Sequence, residues 1–293
     1  ARRCDQAAAG PEAYITALQA LHTLSNRNKG EHVLIHAGAS GVGLAAIQLA
    51  KYLGARNVYV TAGTTEKIAR CKQLGATDGF NYKTQDWAAE LKRVTEGKGV
   101  DVIRDFIGAA YFNNNLASLR LDGRMTMQAF LGGIKLPEGV NIAPMLTRRL
   151  RIEGSTLRSR TVEYQAQQAH AFERLGCIDA LLRGVRGDTS HNALQIILHK
   201  VWDWHDIKEA HDYMAAIQNI GKMVAVISYI HLHDSMLKTS FVVSLEAQGQ
   251  LHAQYPRLSG SCCMSHRSWQ RAGPSCPAHL ASPSRPTWKS FLF

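Results

Sequence analysis

Three glycines, Gly38, Gly41 and Gly43, lie between the apolar run 33–35 and an apolar helical pattern over 44–50. Glycines let a backbone approach a pyrophosphate closely, and a helix N-terminus offers such an anion free N–H groups and a positive dipole end. The spacing is not the common G-x-G-x-x-G, so a tight glycine turn without a ligand is the alternative. Because the turn stands between a predicted strand and a predicted helix, we interpret it as the first half of a dinucleotide-binding βαβ unit.

Two threonines and a lysine follow the second predicted strand, Asn57–Ala62, near the position where NAD-binding units carry an acidic residue. Thr64, Thr65 and Lys67 offer two hydroxyls and a cation, and no carboxylate ends the strand to repel a 2′-phosphate. This chemistry favours NADPH over NADH. The threonines also suit the N-cap of the next helix, and both roles can hold together. Glu66 could turn toward a ribose, but we expect it to serve the helix N-terminus.

Apolar strands alternate with polar-faced helices through the first half of the chain. The predicted strands are 32–36, 57–62, 77–82, 100–105, 123–129 and 152–157. This alternation predicts an α/β fold with a doubly wound parallel sheet of the Rossmann type, whose ligands bind at the carboxyl ends of the strands. The residues expected along that edge are Gly41, Gly63, Ile107, Phe130 and Leu157.

Tyr82 ends the third predicted strand on the same side. It either stacks on an adenine, reaches a phosphate, or is a half-buried aromatic at a strand end. The spacing alone leaves these alternatives open.

The chain divides into four predicted parts. They are a lead-in helix in 1–30, the dinucleotide-binding domain in 31–160, further helices and strands in 161–228, and a tail in 229–293. In the third part, strands 196–202 and 222–227 leave the β/α alternation and are expected to join another sheet. The tail is rich in Ser, Pro, His and Arg without any period, which predicts disorder.

Net charge and the length of the apolar stretches indicate which kinds of partner the protein binds. The 293 residues carry a formal net charge of +11, spread along the chain rather than clustered as in a nucleic-acid-binding arm. No apolar stretch is long enough to span a membrane. We therefore expect an anionic cofactor as partner, and neither nucleic acid nor a membrane.

The cysteines indicate a reduced, cytoplasmic chain, because Cys4, Cys71 and Cys177 stand apart from one another. In the tail, Cys263 with His266 and Cys276 with His279 have the spacing of zinc ligands. No strand or helix pattern surrounds these pairs, so we expect no metal site.

Several ordered motifs resemble one family. They are PEAYITALQALHTL, VLIHAGASGVGLAAIQLAK, TAGTTEK, KQLGATDGFNYK, GVDVIRDFIG, LDGRMTM, STLRSR, EAHDYM and NIGKMV. Over about residues 5–227 the chain resembles the zinc-free quinone oxidoreductases of the medium-chain dehydrogenase/reductase superfamily, and most of all their tumour-suppressor-inducible type. The resemblance implies an NADPH-dependent reductase of quinones and α,β-unsaturated carbonyls (enones), which is usually a homodimer. It supplies no residue that we would name as a proton donor.

The resemblance also implies where the cofactor lies. The residues implied to line its pyrophosphate are Ser40, Gly41 and Val42. Those implied to hold its 2′-phosphate end are Gly63, Thr64, Lys67 and Tyr82. Those implied on its nicotinamide side are Phe130, Leu131, Ser155, Leu157 and Thr16. Lys222, in NIGK, is implied to reach the cofactor as well.

The chain departs from the family's pattern in its fourth strand and at its beginning. Arg104 stands where an apolar strand residue is usual, Phe106 where a small residue or Cys is usual, and Ala129 where Gly is usual. A buried charge costs several kcal/mol unless it is paired, so we expect local distortion or lowered stability at Arg104. The family also carries a GroES-like domain before the point where this sequence starts. The expected functions are therefore a reductase or, as the alternative, a truncated NADPH-binding module with little or no turnover.

Overall fold

A parallel sheet forms the centre of the computed structural model, which describes residues 2–190, 192–228 and 240–244. Its strands are β1 (His32–Ile35), β2 (Asn57–Ala62), β3 (Asp78–Asn81), β4 (Val100–Asp105), β5 (Leu119–Met127) and β6 (Arg151–Gly154). Their order is β3-β2-β1-β4-β5-β6, and every neighbouring pair is parallel. The predicted doubly wound Rossmann sheet is confirmed.

Helices cover both faces of this sheet. They are α1 (Arg2–Leu18), α2 (Gly41–Tyr52), α3 (Thr65–Gln73), α4 (Trp87–Val94), α5 (Phe112–Ser118), α6 (Ala143–Thr147), α7 (Val162–Arg174) and α8 (Cys177–Val185). Alternate strand residues face opposite sides, so Val33 and Ile35 pack in one apolar core with α1 and α2. Leu34 packs in a second core with residues of α4 and α5. Burial on both faces explains the continuous apolar runs of the central strands.

The lead-in helix lies within the predicted segment 1–30. After α1, the segment Gln19–Leu24 continues it with a π-helical turn. Ala13, Ala17 and Leu18 are buried on the face turned toward the sheet. Gln128, directly after β5, donates to the Thr16 carbonyl, so the end of α1 lies at the carboxyl edge of the sheet, where the candidate site forms.

A second, smaller sheet is also described. It contains β7 (Leu198–Asp203), β8 (Lys222–Ser228) and β9 (Ser240–Ser244), in that order, with α9 (Ile207–Ala215) between the first two. The predicted strands at 196–202 and 222–227 thus join another sheet, as expected. β9 falls inside the tail predicted to be disordered, and its Phe-Val-Val core has the β-branched and aromatic character of a strand. The rest of that tail lies outside the described residues.

Two strand ends lie three or more residues from the positions expected from the sequence, at the start of β5 and the end of β6. β5 begins at Leu119 rather than Gly123, because a register shift against β4 accommodates Asp122 and Gly123 within the strand. β6 ends at Gly154, so Ser155 and Leu157 lie in the loop after it.

Candidate functional site

The glycine turn closes tightly onto the start of α2. The Ser40 hydroxyl caps the helix by accepting a hydrogen bond from the Gly43 N–H at 3.0 Å. A Cβ on Gly43 would lie 2.3 Å from the Ala37 carbonyl oxygen. Helix geometry leaves the N–H groups of Gly41 and Val42 without intrahelical acceptors. The turn stands between β1 and β4, where the strand order reverses and doubly wound folds bind dinucleotides.

Lys222 reaches this turn from the second sheet. A Cβ on Gly41 would lie 2.3 Å from its Cδ, and its Nζ lies 2.6 Å from Glu12 Oε2 of α1. The neighbouring Gly221 N–H donates to the Ala39 carbonyl at 2.9 Å. The predicted cofactor residue Lys222 is therefore brought to the predicted pyrophosphate turn, with its charge paired to Glu12.

The residues predicted for the 2′-phosphate end meet where β2 and β3 end. Thr64 caps α3, and its hydroxyl accepts from the Lys67 N–H at 3.2 Å. The Tyr82 hydroxyl lies 2.8 Å from where a Cβ on Gly63 would stand. Lys67 is buried, and its amine donates to the Ile217 carbonyl.

Lys83 belongs to this cluster and was missed by the sequence reasoning. Its Cε lies 3.3 Å from the same Gly63 position, and its place directly after Tyr82 was the available signal. Burial first, and then the charge of Lys83, lower the pKa of Lys67. Glu66 lines an open cavity with Arg70 and His199. Lys67 and Lys83 thus place two positive charges near this strand end, and the charge of Glu66 opposes them.

Two glutamines connect the residues predicted for the nicotinamide side, and sequence reasoning missed both. Gln128 donates to the Thr16 carbonyl at 3.1 Å, and its amide also lies 3.4 Å from the Gln19 side-chain oxygen. Gln19 donates to the Ser155 hydroxyl at 3.1 Å. Thr16 and Ser155 are therefore held in one hydrogen-bond network. No periodic pattern distinguishes these glutamines from surface ones.

The apolar residues predicted on this side lie farther out. Phe130 and Leu131 follow β5 and remain 43% and 49% exposed. Phe130 packs close to Gly108, where a Cβ would lie 2.6 Å from its ring. Leu157 is partly buried in the loop after β6, and its carbonyl accepts from Gln165. These side chains flank the carboxyl edge and are not joined to the network of glutamines by any hydrogen bond of the described residues.

Arg104 is fully buried at the end of β4. Its Nε donates to Gln128 at 2.9 Å, and its guanidinium stacks on the Phe106 ring at 3.8 Å. Among the described residues, none accepts a hydrogen bond from its Nη1 or Nη2. Burial lowers the pKa of Arg104 well below its usual value, and the charge of Glu12 opposes that shift. The strand itself keeps regular parallel pairing at this residue, so the expected distortion is absent.

A buried histidine lies beneath the same edge. His36 Nδ1 is 2.9 Å from the Thr61 hydroxyl, and its Nε2 is 2.8 Å from Asn115 Oδ1. The rings of Trp87 and Tyr111 pack edgewise against it. Burial lowers the pKa of His36 to about 4, so the ring is neutral at physiological pH.

His36 is expected to make the folded chain sensitive to acid. Its pKa is about 4 when folded and about 6.5 when unfolded, so below pH 6.5 protons bind preferentially to the unfolded chain. Its contribution to the free energy of unfolding should fall by about 2 kcal/mol from pH 7 to pH 5. Burial also raises the pKa of Asp105, to about 6, which acts in the opposite direction.

Comparison with His36→Gln isolates the histidine, because the Asp105 contribution is common to both chains. Urea unfolding at the two pH values measures the difference. We expect the free energy of unfolding of the wild-type chain, relative to that of the variant, to be about 2 kcal/mol lower at pH 5 than at pH 7. A difference that does not change with pH would contradict a neutral buried His36.

No group of three or more His, Cys, Asp or Glu residues in the described part of the chain could hold a metal ion. The cysteine–histidine pairs at 263–266 and 276–279 lie outside it. None of the helices described combines the length and apolarity needed to cross a bilayer.

Comparisons with known proteins agree on one group. Residues 41–172 match the family described as zinc-binding dehydrogenase. The chain is 32% identical to a 2-haloacrylate reductase of a Burkholderia species, over 72% of this chain and 60% of that one. It is 29% identical to prostaglandin reductase-3 of Mus musculus, over 71% and 55%. It thus spans 60% or less of the length of these curated relatives.

A solved structure shows the same relationship. The chain resembles the Escherichia coli quinone oxidoreductase complexed with NADPH, with a TM-score of 0.62 and 26% identity. The match covers 75% of this chain and 64% of that one.

Proposed function

Because this chain belongs to the quinone oxidoreductase-like family of the medium-chain dehydrogenase/reductase superfamily, we propose that it binds NADPH and reduces a small unsaturated carbonyl compound. The substrates proposed are quinones and α,β-unsaturated carbonyls. The observation that carries the choice of cofactor is the cluster of Thr64, Lys67, Tyr82 and Lys83 after β2, a strand that ends at Ala62 and is followed by Gly63 rather than by a carboxylate.

The cluster fits a 2′-phosphate in charge and in shape. An ammonium group has three donors, so Lys67 can keep its bond to the Ile217 carbonyl and still donate to a phosphate oxygen. The Tyr82 hydroxyl and the Lys83 amine approach the open side of Gly63. A carboxylate there would favour ribose hydroxyls and repel the phosphate.

The glycine turn fits the pyrophosphate. Gly43 lets the turn fold closely onto α2, and the α2 N-terminus presents the N–H groups of Gly41 and Val42. Lys222 adds a cation at Gly41. Its ion pair with Glu12 would hold the amine beside the turn before the cofactor binds.

NADPH supplies the hydride, and the protein's part is to orient the cofactor and exclude water. Thr16 and Ser155 would border the nicotinamide, held in place by Gln128 and Gln19. Phe130 and Leu131 would flank it. The described residues contain no side-chain pair that we assign as acid and base, so the chain's proposed role is positioning.

The substrate that we propose for this chain is inferred from the names of its relatives. One relative is named for 2-haloacrylate, an unsaturated acid, and a structural neighbour for quinone. Both accept a hydride at a carbon conjugated to a carbonyl group. We propose the same reaction type for this chain, in the cytoplasm, where the buried free thiols of Cys71 and Cys177 would stay reduced.

The alternative is an NADPH-binding module with little turnover. The exposure of Phe130 and Leu131 favours it, because hydride transfer benefits from a site closed to water. Oxidation of NADPH by 1,4-benzoquinone or methyl vinyl ketone, followed at 340 nm, separates the two. Turnover supports the reductase; saturable NADPH binding without turnover supports the module.

A homodimer is also proposed. β6 is the last strand of the sheet, and Arg151, Glu153 and Gly154 are exposed along it. An edge strand presents unpaired backbone groups that a second chain can pair with. Sedimentation equilibrium would give the mass of a dimer if the proposal holds and of a monomer if it does not.

Lys67→Ala is expected to weaken NADPH binding about tenfold and to change NADH binding less than about twofold, because a charge-assisted hydrogen bond to the 2′-phosphate is lost. Fluorescence titration with each cofactor measures both constants. Lys72→Ala is the matched control, since this exposed lysine on the same helix pairs with Asp78. Equal weakening of both cofactors by Lys67→Ala would contradict its assignment to the phosphate.

A further inference from the structure

We propose that Arg104 recognises a carboxylate group on the substrate, through the two terminal nitrogens of its guanidinium. This inference rests on the proposed function, because it places an unsaturated acid beside the nicotinamide. It selects unsaturated acids over neutral enones and quinones of similar size.

The first observation is the unusual state of this side chain. Arg104 is fully buried, with Ile103 before it and Ile35 opposite it on β1, and Nη1 and Nη2 have no acceptor among the described residues. Buried polar groups are almost always satisfied, and an exception calls for an explanation such as a ligand. The Nε already donates a hydrogen bond to Gln128 at 2.9 Å, so Nη1 and Nη2 are the donors that remain for a ligand.

The second observation is that Glu12, whose charge acts on Arg104, is bound to other residues. Glu12 forms no hydrogen bond with Arg104. One of its oxygens lies 2.6 Å from Lys222 Nζ, and the other accepts from Thr16 at 3.4 Å. Among the described residues, no carboxylate accepts a hydrogen bond from Nη1 or Nη2 of Arg104, which leaves a place for an external anion.

Position favours a substrate carboxylate over a cofactor phosphate. The phosphate-binding turn already has the α2 N-terminus and Lys222. Arg104 donates instead to Gln128, just after β5, and Gln128 is hydrogen-bonded to Thr16 and Gln19. That is the side proposed for the nicotinamide, where a hydride acceptor must lie.

The chemistry of the group also suits a carboxylate. A guanidinium presents parallel N–H donors that match the two oxygens of a carboxylate, and the geometry is bidentate. The ring of Phe106 lies 3.8 Å from the guanidinium and is itself only partly buried. We infer that this ring covers Arg104 in the free chain and swings aside when the acid binds.

Binding of acrylate and acrylamide to the full chain saturated with NADP⁺ tests the proposal by calorimetry, because the two probes differ in charge but little in shape. Wild-type chain should bind acrylate at least about tenfold more tightly than acrylamide, as expected for a charge-assisted bidentate contact. In Arg104→Met this preference should disappear, and in Arg104→Lys it should be partly retained. Arg124→Met, which removes a largely buried arginine of β5 that is already paired with Glu31, should keep it.

Equal binding of the two probes by the wild-type chain, or an acrylate preference that survives in Arg104→Met, would overturn the proposal. So would Arg104→Met weakening NADPH binding, because the guanidinium would then serve a cofactor phosphate. NADPH titration of the wild-type chain is run beside these measurements. Absence of NADPH binding contradicts the proposed function, whereas normal NADPH binding without acrylate preference contradicts only the role of Arg104.

Discussion

Gly43→Ala is expected to destabilise the chain by about 3 kcal/mol, the upper part of the usual range for overpacking, and to abolish NADPH binding. The new Cβ would stand 2.3 Å from the Ala37 carbonyl oxygen and 2.6 Å from that of Gly38. Both are backbone atoms, which cannot rotate away as a side chain would. Ala37 already has a positive φ of 51°, so the turn has little freedom to open without losing its shape.

Gly154→Ala is the matched control for this prediction. Gly154 ends β6, its φ is not in the left-handed region, and nothing lies within 4 Å of a Cβ placed there. Its free energy of unfolding should stay within about 0.5 kcal/mol of the wild-type value. Urea unfolding and NADPH titration measure both variants. A Gly43→Ala chain that is as stable as wild type and binds NADPH equally well would contradict the close packing of this turn.

Arg104→Met is expected to raise the free energy of unfolding by about 1 to 4 kcal/mol, the range observed when buried ionic groups are replaced by apolar side chains. The guanidinium is fully buried with two unpartnered nitrogens, and a methionine would remove that desolvation cost. The substitution leaves the Gln128 oxygen without its donor, a loss of about 1 kcal/mol that is smaller than the gain. A stabilising substitution at a ligand-binding residue is the usual relation between stability and function.

Arg124→Met should have the opposite effect. Arg124 is also largely buried, but its guanidinium lies 2.6 Å from Glu31 and donates to the Ser25 carbonyl. Its removal leaves a charged partner unpaired, which should lower the free energy of unfolding by about 3 kcal/mol. Urea unfolding of both variants tests the contrast. If Arg104→Met is destabilising by a similar amount, Arg104 has a partner within the folded chain.

The sequence was sufficient to predict the sheet because its signals are local. Val33, Leu34 and Ile35 are apolar on both faces, which indicates a central parallel strand, and the glycine turn marks the next helix. Thr64 and Lys67 could be assigned to one strand end because the second strand ends just before them. The structure brings both together with Tyr82, as the strand order requires.

Other parts depend on contacts that spacing does not encode. Gln19 and Gln128 are far apart in sequence and meet only because the π-helical segment Gln19–Leu24 packs against β5. Arg104 was recognised as a buried charge because it stands in an apolar strand. That its Nη1 and Nη2 lack an acceptor could not be predicted, because Glu12 is bound by Lys222 from another sheet. β9 was missed because its short apolar run lies in a segment of otherwise polar composition.

We propose above all that the end of β2 selects a nicotinamide cofactor carrying a 2′-phosphate. A fluorescence titration of the chain with NADPH and, in parallel, with NADH tests this directly. We expect saturable binding of NADPH, at least about tenfold tighter than that of NADH, since at least one charge-assisted bond to the phosphate distinguishes them. Equal affinity for the two cofactors, or binding of neither by a folded chain, would contradict it.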